Sequence, residues 1–176
     1  MKYRILDEKL KQNFLKYILQ CTLATLTILA VLFFLDILTE TAIITSLGAS
    51  AFIIFTMPKM YSSHPRRLIG GYIVGLSVGI ICFLILNFEE YFFIDEKTML
   101  ILFGAISVGF SIFLMAITNT EHAPAAGIAL GLVINEWNIM TIFFIIGAIL
   151  WMASVRIVLK KYLMNLTSPK DYNKEI

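Results

Sequence analysis

The chain has 176 residues, 59% of them hydrophobic and 15% charged, with a formal net charge of +2. Soluble domains carry about 25% charged and about 45–50% apolar residues, so a water-soluble globular domain is excluded. The apolar residues fall in blocks of about 17–22, the length that crosses a hydrocarbon core about 30 Å thick. The composition is that of a polytopic, all-α membrane protein, with nucleic acid excluded as a partner and no cofactor expected.

In chain order, residues 1–16 alternate basic groups with Ile5, Leu6, Leu10, Phe14 and Leu15, which suits an amphipathic helix lying in the membrane interface. Asp7 and Glu8, with no small-residue cleavage site after them, argue against a signal peptide. Residues 17–159 read as a single transmembrane domain. Clear spans cover 17–35, 68–86, 98–117 and 139–159. The segment 41–57 is weaker, because it holds Thr45, Ser46, Gly48 and Ser50 before stopping at Pro58. Gly71 and Gly75 stand at GxxxG spacing, which lets helices approach closely. After the polar run 118–122, only Ala125 to Ile134 stays apolar before Asn135-Glu136-Trp137-Asn138 breaks the pattern. The tail 160–176 reads as a polar, frayed cytoplasmic extension. Cys21 and Cys82 lie inside apolar blocks without CxxC spacing and read as buried packing residues.

Charge placement sets the topology. Of the 14 Lys and Arg, all but Lys97 lie before the first span, between 59 and 67, or after 155, whereas the other connections are acidic. The positive-inside rule puts both termini and the 58–67 connection in the cytoplasm of a cell whose inner membrane holds the protein. Both termini inside requires an even number of crossings, so 41–57 and 118–134 must cross as well. About six crossings result, as an inverted 3+3 helical repeat with two short, broken helices around 46–57 and 122–134. That layout recurs in transporters whose substrate sits where half-helices meet.

A helix start presents unpaired amides and about half a positive charge, which suits an anion. Two starts are expected, one after Ser46 near Gly48 and one near Pro124 with Thr120 or His122 as N-cap. Ser46, Gly48, Ala49 and Ser50 would line one side of the site, and Thr120, His122, Ala125 and Ala126 the other. The hydroxyls donate hydrogen bonds, and the small residues let a ligand reach the backbone. His122 carries two readings, a proton carrier or a structural cap. Glu121 is either a solvated residue at the mouth or part of the path. His64, Arg66 and Arg67 read as topology and lipid-headgroup residues, or as an anion funnel.

Gly48-Ala49-Ser50-Ala51, Pro58, Pro65-Arg66, Gly70-Gly71 and His122-Ala123-Pro124-Ala125-Ala126-Gly127 together resemble the HPP family of integral membrane proteins, over about residues 40–160. The family's His-Pro-Pro has Ala123 at its middle position here. The resemblance implies a transporter, and relatives linked to nitrite transport imply nitrite or a similar small anion. An intramembrane enzyme is disfavoured: there is no HExxH, no Cys ligand set for a metal and no GxSxG elbow. A non-transporting scaffold or partner subunit is the alternative. Membrane lipids and the anion are the expected partners, with a homo-oligomer left open.

Overall fold

Hydrocarbon offers the backbone no hydrogen-bond partner, so each apolar block satisfies its own amides by coiling. The computed structural model describes residues 8–33, 41–87 and 95–166. Six helices follow one another: α1 Glu8–Phe33, α2 Thr41–Thr56, α3 Pro65–Leu86, α4 Glu96–Thr118, α5 Ala123–Ile134 and α6 Ile139–Leu159, with a 3-10 turn at Tyr61–Ser63. No strand occurs among the described residues, and the protein is an all-α membrane protein. α3, α4 and α6 are long and apolar enough to span, while α2 and α5 are shorter apolar helices.

The helix ends follow their local chemistry. Pro65 opens α3 at its first turn, where the missing N–H costs nothing. The span therefore starts three residues earlier than its apolar pattern suggests, and Arg66 and Arg67 belong to the helix rather than to the connection. Asp95 caps α4 by accepting from the Thr98 amide at 3.0 Å. That bond holds its carboxyl below the usual range. Asn119 ends α4 in the left-handed region, at φ 56° and ψ 44°, which Asn tolerates better than most residues. A capping box formed by Asn138 and Thr141 starts α6.

Three expectations need correction. α2 is helical from Thr41, so there is no extended approach through Thr45 and Ser46 and no helix start at Gly48. Cys82 is buried, but Cys21 is exposed. The first part of the tail is packed rather than frayed, with Leu163 and Leu166 buried. Residues 1–7, Asp36 and Glu40, the acidic cluster Glu89-Glu90 and the tail from 167 onward lie outside the described residues.

The packed tail has a physical cause. The last carbonyls of a helix lack intrahelical partners. Gln20 on α1 is buried and donates through Nε2 to the Phe55 carbonyl and, at 2.9 Å, to that of Met164. Its Oε1 accepts from the Met164 amide at 3.1 Å. The Leu166 amide reaches the Thr56 carbonyl at 2.8 Å, and Tyr17 donates to the Leu166 carbonyl at 2.8 Å. Segment 163–166 thus finishes α2 and ties it to α1. Gln20→Leu strands the buried Phe55 carbonyl and the partly buried amide and carbonyl of Met164, and is expected to cost about 2–4 kcal/mol. Denaturant unfolding in neutral detergent, compared with Tyr17→Phe as a milder control, measures it.

α5 is the centre of the bundle. Pro124, Ala125, Ala126, Ile128, Ala129, Gly131, Leu132 and Val133 are all buried, between α3, α4 and α2. The lipid-facing surface is elsewhere: Ile101, Phe110, Phe113 and Ile117 on α4 and Leu150, Trp151 and Ile157 on α6 are exposed. Without a hydrophobic drive between helices in lipid, close backbone packing is what holds such an interior together.

Candidate functional site

Two sets of small residues seat α5. On α3, glycines at 71, 75 and 79 recur every four residues on one face. A Cβ on Gly71 would come within 2.8 Å of the His122 Cβ and 2.9 Å of the Thr120 carbonyl oxygen. On Gly75 it would overlap the Ala125 carbonyl, and on Gly79 it would lie 3.0 Å from the Ala129 Cα. On α5 itself, Gly127 faces the Ser46 Oγ, and a Cβ on Gly131 would lie 3.0 Å from Ile43 Cγ1. Read along α2, Ile43 lies beside Gly131, Ser46 beside Gly127 and Ser50 beside His122. The two short helices therefore run antiparallel.

His122 stands at the α5 N-cap position with extended backbone, but its side chain does not cap the helix. It is fully buried and turns instead to two partners on other elements. Its Nδ1 lies 3.1 Å from the Ser62 carbonyl and its Nε2 lies 2.8 Å from Ser50 Oγ. A carbonyl only accepts, so Nδ1 carries the proton and Nε2 of the neutral ring accepts from Ser50. Ser50 Oγ is also 2.7 Å from the Tyr72 hydroxyl, which reaches the Ser46 carbonyl at 3.2 Å. The chain then runs one way: Tyr72 donates to Ser50, and Ser50 donates to His122. Protonating Nε2 reverses it without stranding a group, because Ser50 then donates to Tyr72 and Tyr72 to the Ser46 carbonyl. The tilted rings of Tyr72 and His122, with centroids 5.6 Å apart, complete the contact.

A charged latch lies next to this cluster. Arg67 is buried at 4% exposure and forks to Glu121 and Asn119. Its guanidinium sits 3.1 Å from the Tyr61 ring centroid, and the Tyr61 hydroxyl donates to Asn119 Oδ1 at 3.0 Å. The Glu121 side chain is half exposed. The latch joins the first turn of α3, with Tyr61 from the connection before it, to the α4–α5 connection directly before the start of α5.

The expected site residues separate into groups. Ser50 and His122 meet. Ser46 lies on the same face of α2, but its hydroxyl is turned back to the Ala42 carbonyl at 2.9 Å. Ala125 and Ala126 are buried in the packing of α5. Thr120 is half-buried, and its hydroxyl meets that of Thr118 at 2.8 Å. Ala49 is exposed, and a Cβ on Gly48 would have nothing within 4 Å, so both lie away from the cluster. The two helix starts do not face each other. The start of α2 lies beside the far half of α5, because the helices are antiparallel. Tyr72, the Ser62 carbonyl and the Arg67–Asn119 contact were not foreseen. One available signal was a tyrosine on the glycine face of a span, a poor place for a residue meant for lipid.

The family model described as HPP, transmembrane region matches residues 9–173. The chain belongs to the HPP family. No curated protein and no solved structure matches it. In this HPP protein the His122-Ala123-Pro124 tripeptide is the entrance to α5, and the His122 ring hydrogen-bonds both α2 and the connection before α3.

Proposed function

We propose that this HPP protein is a transporter for a small monovalent anion, nitrite first, with Ser50, Tyr72 and His122 as its polar station. The observation that carries this reading is the fully buried, reversible hydrogen-bond chain at the first turn of a buried helix. A buried polar cluster is costly in hydrocarbon and marks function more often than stability. A dehydrated anion beside the start of α5 would meet the dipole of that helix and hydroxyl donors, with no fixed full charge to trap it. It would also favour protonation of His122, so anion and proton would move as a neutral pair. Nitrite comes from the family resemblance.

The charge pattern supports an inner-membrane orientation with both termini cytoplasmic and the Arg67–Glu121 latch on the cytoplasmic side. His122 has no exposed surface, so the arrangement is closed and passage requires the latch to part. The antiparallel pairing of α2 with α5, each between longer helices, supports an inverted repeat.

Proteoliposomes loaded with an anion-sensitive dye test this. Ser50→Ala removes the central hydroxyl with little change in volume, and nitrite uptake is expected to fall about tenfold or more. Unchanged uptake by the folded variant would refute the station. A second reading, a non-transporting partner subunit, is favoured by the closed packing around His122. Absence of uptake by the parent protein for every small anion tried would select it.

A further inference from the structure

A second charged feature lies on the same end of the bundle and plays no part in the transport reading. Arg156, in the last turn of α6, is buried at 5% exposure. One Nη donates to the Pro58 carbonyl at 3.1 Å, and its buried Nε has no acceptor. No carboxylate among the described residues pairs with it; the ion pair found there is that of Arg67 with Glu121. A buried guanidinium that keeps its charge needs an anionic partner.

Arg156 forms part of the wall of a cleft of about 420 Å³ between the 58–64 connection and the end of α6. The wall is rich in basic side chains: Lys59, His64 and Lys160 join Arg156, and no acidic residue is among the described lining. Pro58 and Tyr61 supply apolar walls. The connection is held open in this shape by its own bonds, with Ser63 Oγ donating to the carbonyls of Pro58 at 2.8 Å and Met60 at 2.7 Å. Ile157 and Val158, which follow Arg156 on α6, are exposed on the apolar outer face of the bundle.

We propose that this cleft binds a phosphate group, with Arg156 as its buried anchor and Lys59 and Lys160 at its rim. Guanidinium and phosphate match in geometry and charge. The volume exceeds what a small monovalent anion fills, and the neighbouring apolar face suits the acyl chains of an anionic phospholipid headgroup. Free phosphate presents the same chemistry to the anchor, and the test below separates the two sources.

The purified protein in neutral detergent is titrated with dihexanoyl-phosphatidylglycerol, dihexanoyl-phosphatidylcholine or sodium phosphate while its unfolding temperature is followed. Saturable stabilisation by phosphatidylglycerol is expected. Arg156→Lys keeps the charge but loses the fork, and should raise the half-saturating concentration about tenfold. Lys59→Gln with Lys160→Gln, both at exposed positions and so safe for folding, should raise it about threefold. An Arg156 that only braces α6 against Pro58 would lower the starting temperature and leave the ligand-dependent rise intact, which overturns the proposal. Stabilisation confined to the glycerol lipid assigns the site to a headgroup, and an equal effect of sodium phosphate assigns it to free phosphate. No rise with phosphatidylglycerol or sodium phosphate, or half-saturation indifferent to both variants, rejects the phosphate site, and an equal rise with phosphatidylcholine, which carries the same phosphodiester, overturns the assignment to an anionic headgroup.

Discussion

Gly75→Ala is expected to be among the most damaging single-methyl changes in this protein. The added carbon would overlap the Ala125 carbonyl, and a backbone oxygen in the first turn of a buried helix has nowhere to retreat. Overpacking of a filled interior costs about 1–3 kcal/mol and occasionally more, and this site belongs at the upper end because backbone, not a side-chain tip, must move. Gly48→Ala is the control, since a Cβ there meets nothing within 4 Å, and it should change stability by less than about 0.5 kcal/mol. Denaturant titration of both variants in the same detergent reads the difference. Equal stabilities would mean that α5 does not lie on the glycine face of α3.

His122→Ala should lose both stability and transport, and the two losses can be separated. Removing the ring strands the Ser62 carbonyl and leaves Ser50 and Tyr72 without their third member. An unsatisfied buried polar group costs about 1–3 kcal/mol, and truncation adds a void. About 3 kcal/mol is therefore expected from unfolding measurements. His122→Gln can restore an acceptor for Ser50 at about the distance of Nε2, but it takes up no proton. It should recover part of the stability and none of the proton-coupled nitrite uptake. A Gln variant with parental uptake would leave His122 only a structural role. A double-mutant cycle with Ser50→Ala should give a coupling of about 1–2 kcal/mol, since the two atoms share one bond.

Much of the architecture could be read before any coordinates. The start of α5 was legible because Asn119, Pro124 and the small residues after it each impose a local constraint: a left-handed helix stop, a fixed φ, and room for close packing. The start of α2 was misread for an equally local reason. Ser and Thr look like helix breakers inside an apolar run, yet in hydrocarbon they return their hydroxyls to the preceding turn. Ser46 does so to Ala42 and Thr56 to Phe52, at 2.9 and 2.7 Å. With its polar atoms satisfied within the helix, α2 has no reason to unwind at Gly48. The cluster itself was half legible. Ser50 and His122 carried a visible motif, but Tyr72 joins them only through tertiary packing. Likewise, nothing in the spacing of Asn119, Glu121 and Tyr61 shows that the Arg67 guanidinium gathers all three.

The brevity of α5 has an electrical consequence. Its 12 residues rise about 18 Å at about 1.5 Å per residue, well short of a hydrocarbon core of about 30 Å. Thr120 and Glu121 at one end and Asn135 and Glu136 at the other bring polar chemistry toward the middle of the bilayer. If water reaches those polar ends, the insulating layer along this helix is shorter than the hydrocarbon core, so a membrane voltage drops over a shorter distance and its gradient steepens. An ion moving beside α5 would cross most of that voltage within the length of a single short helix.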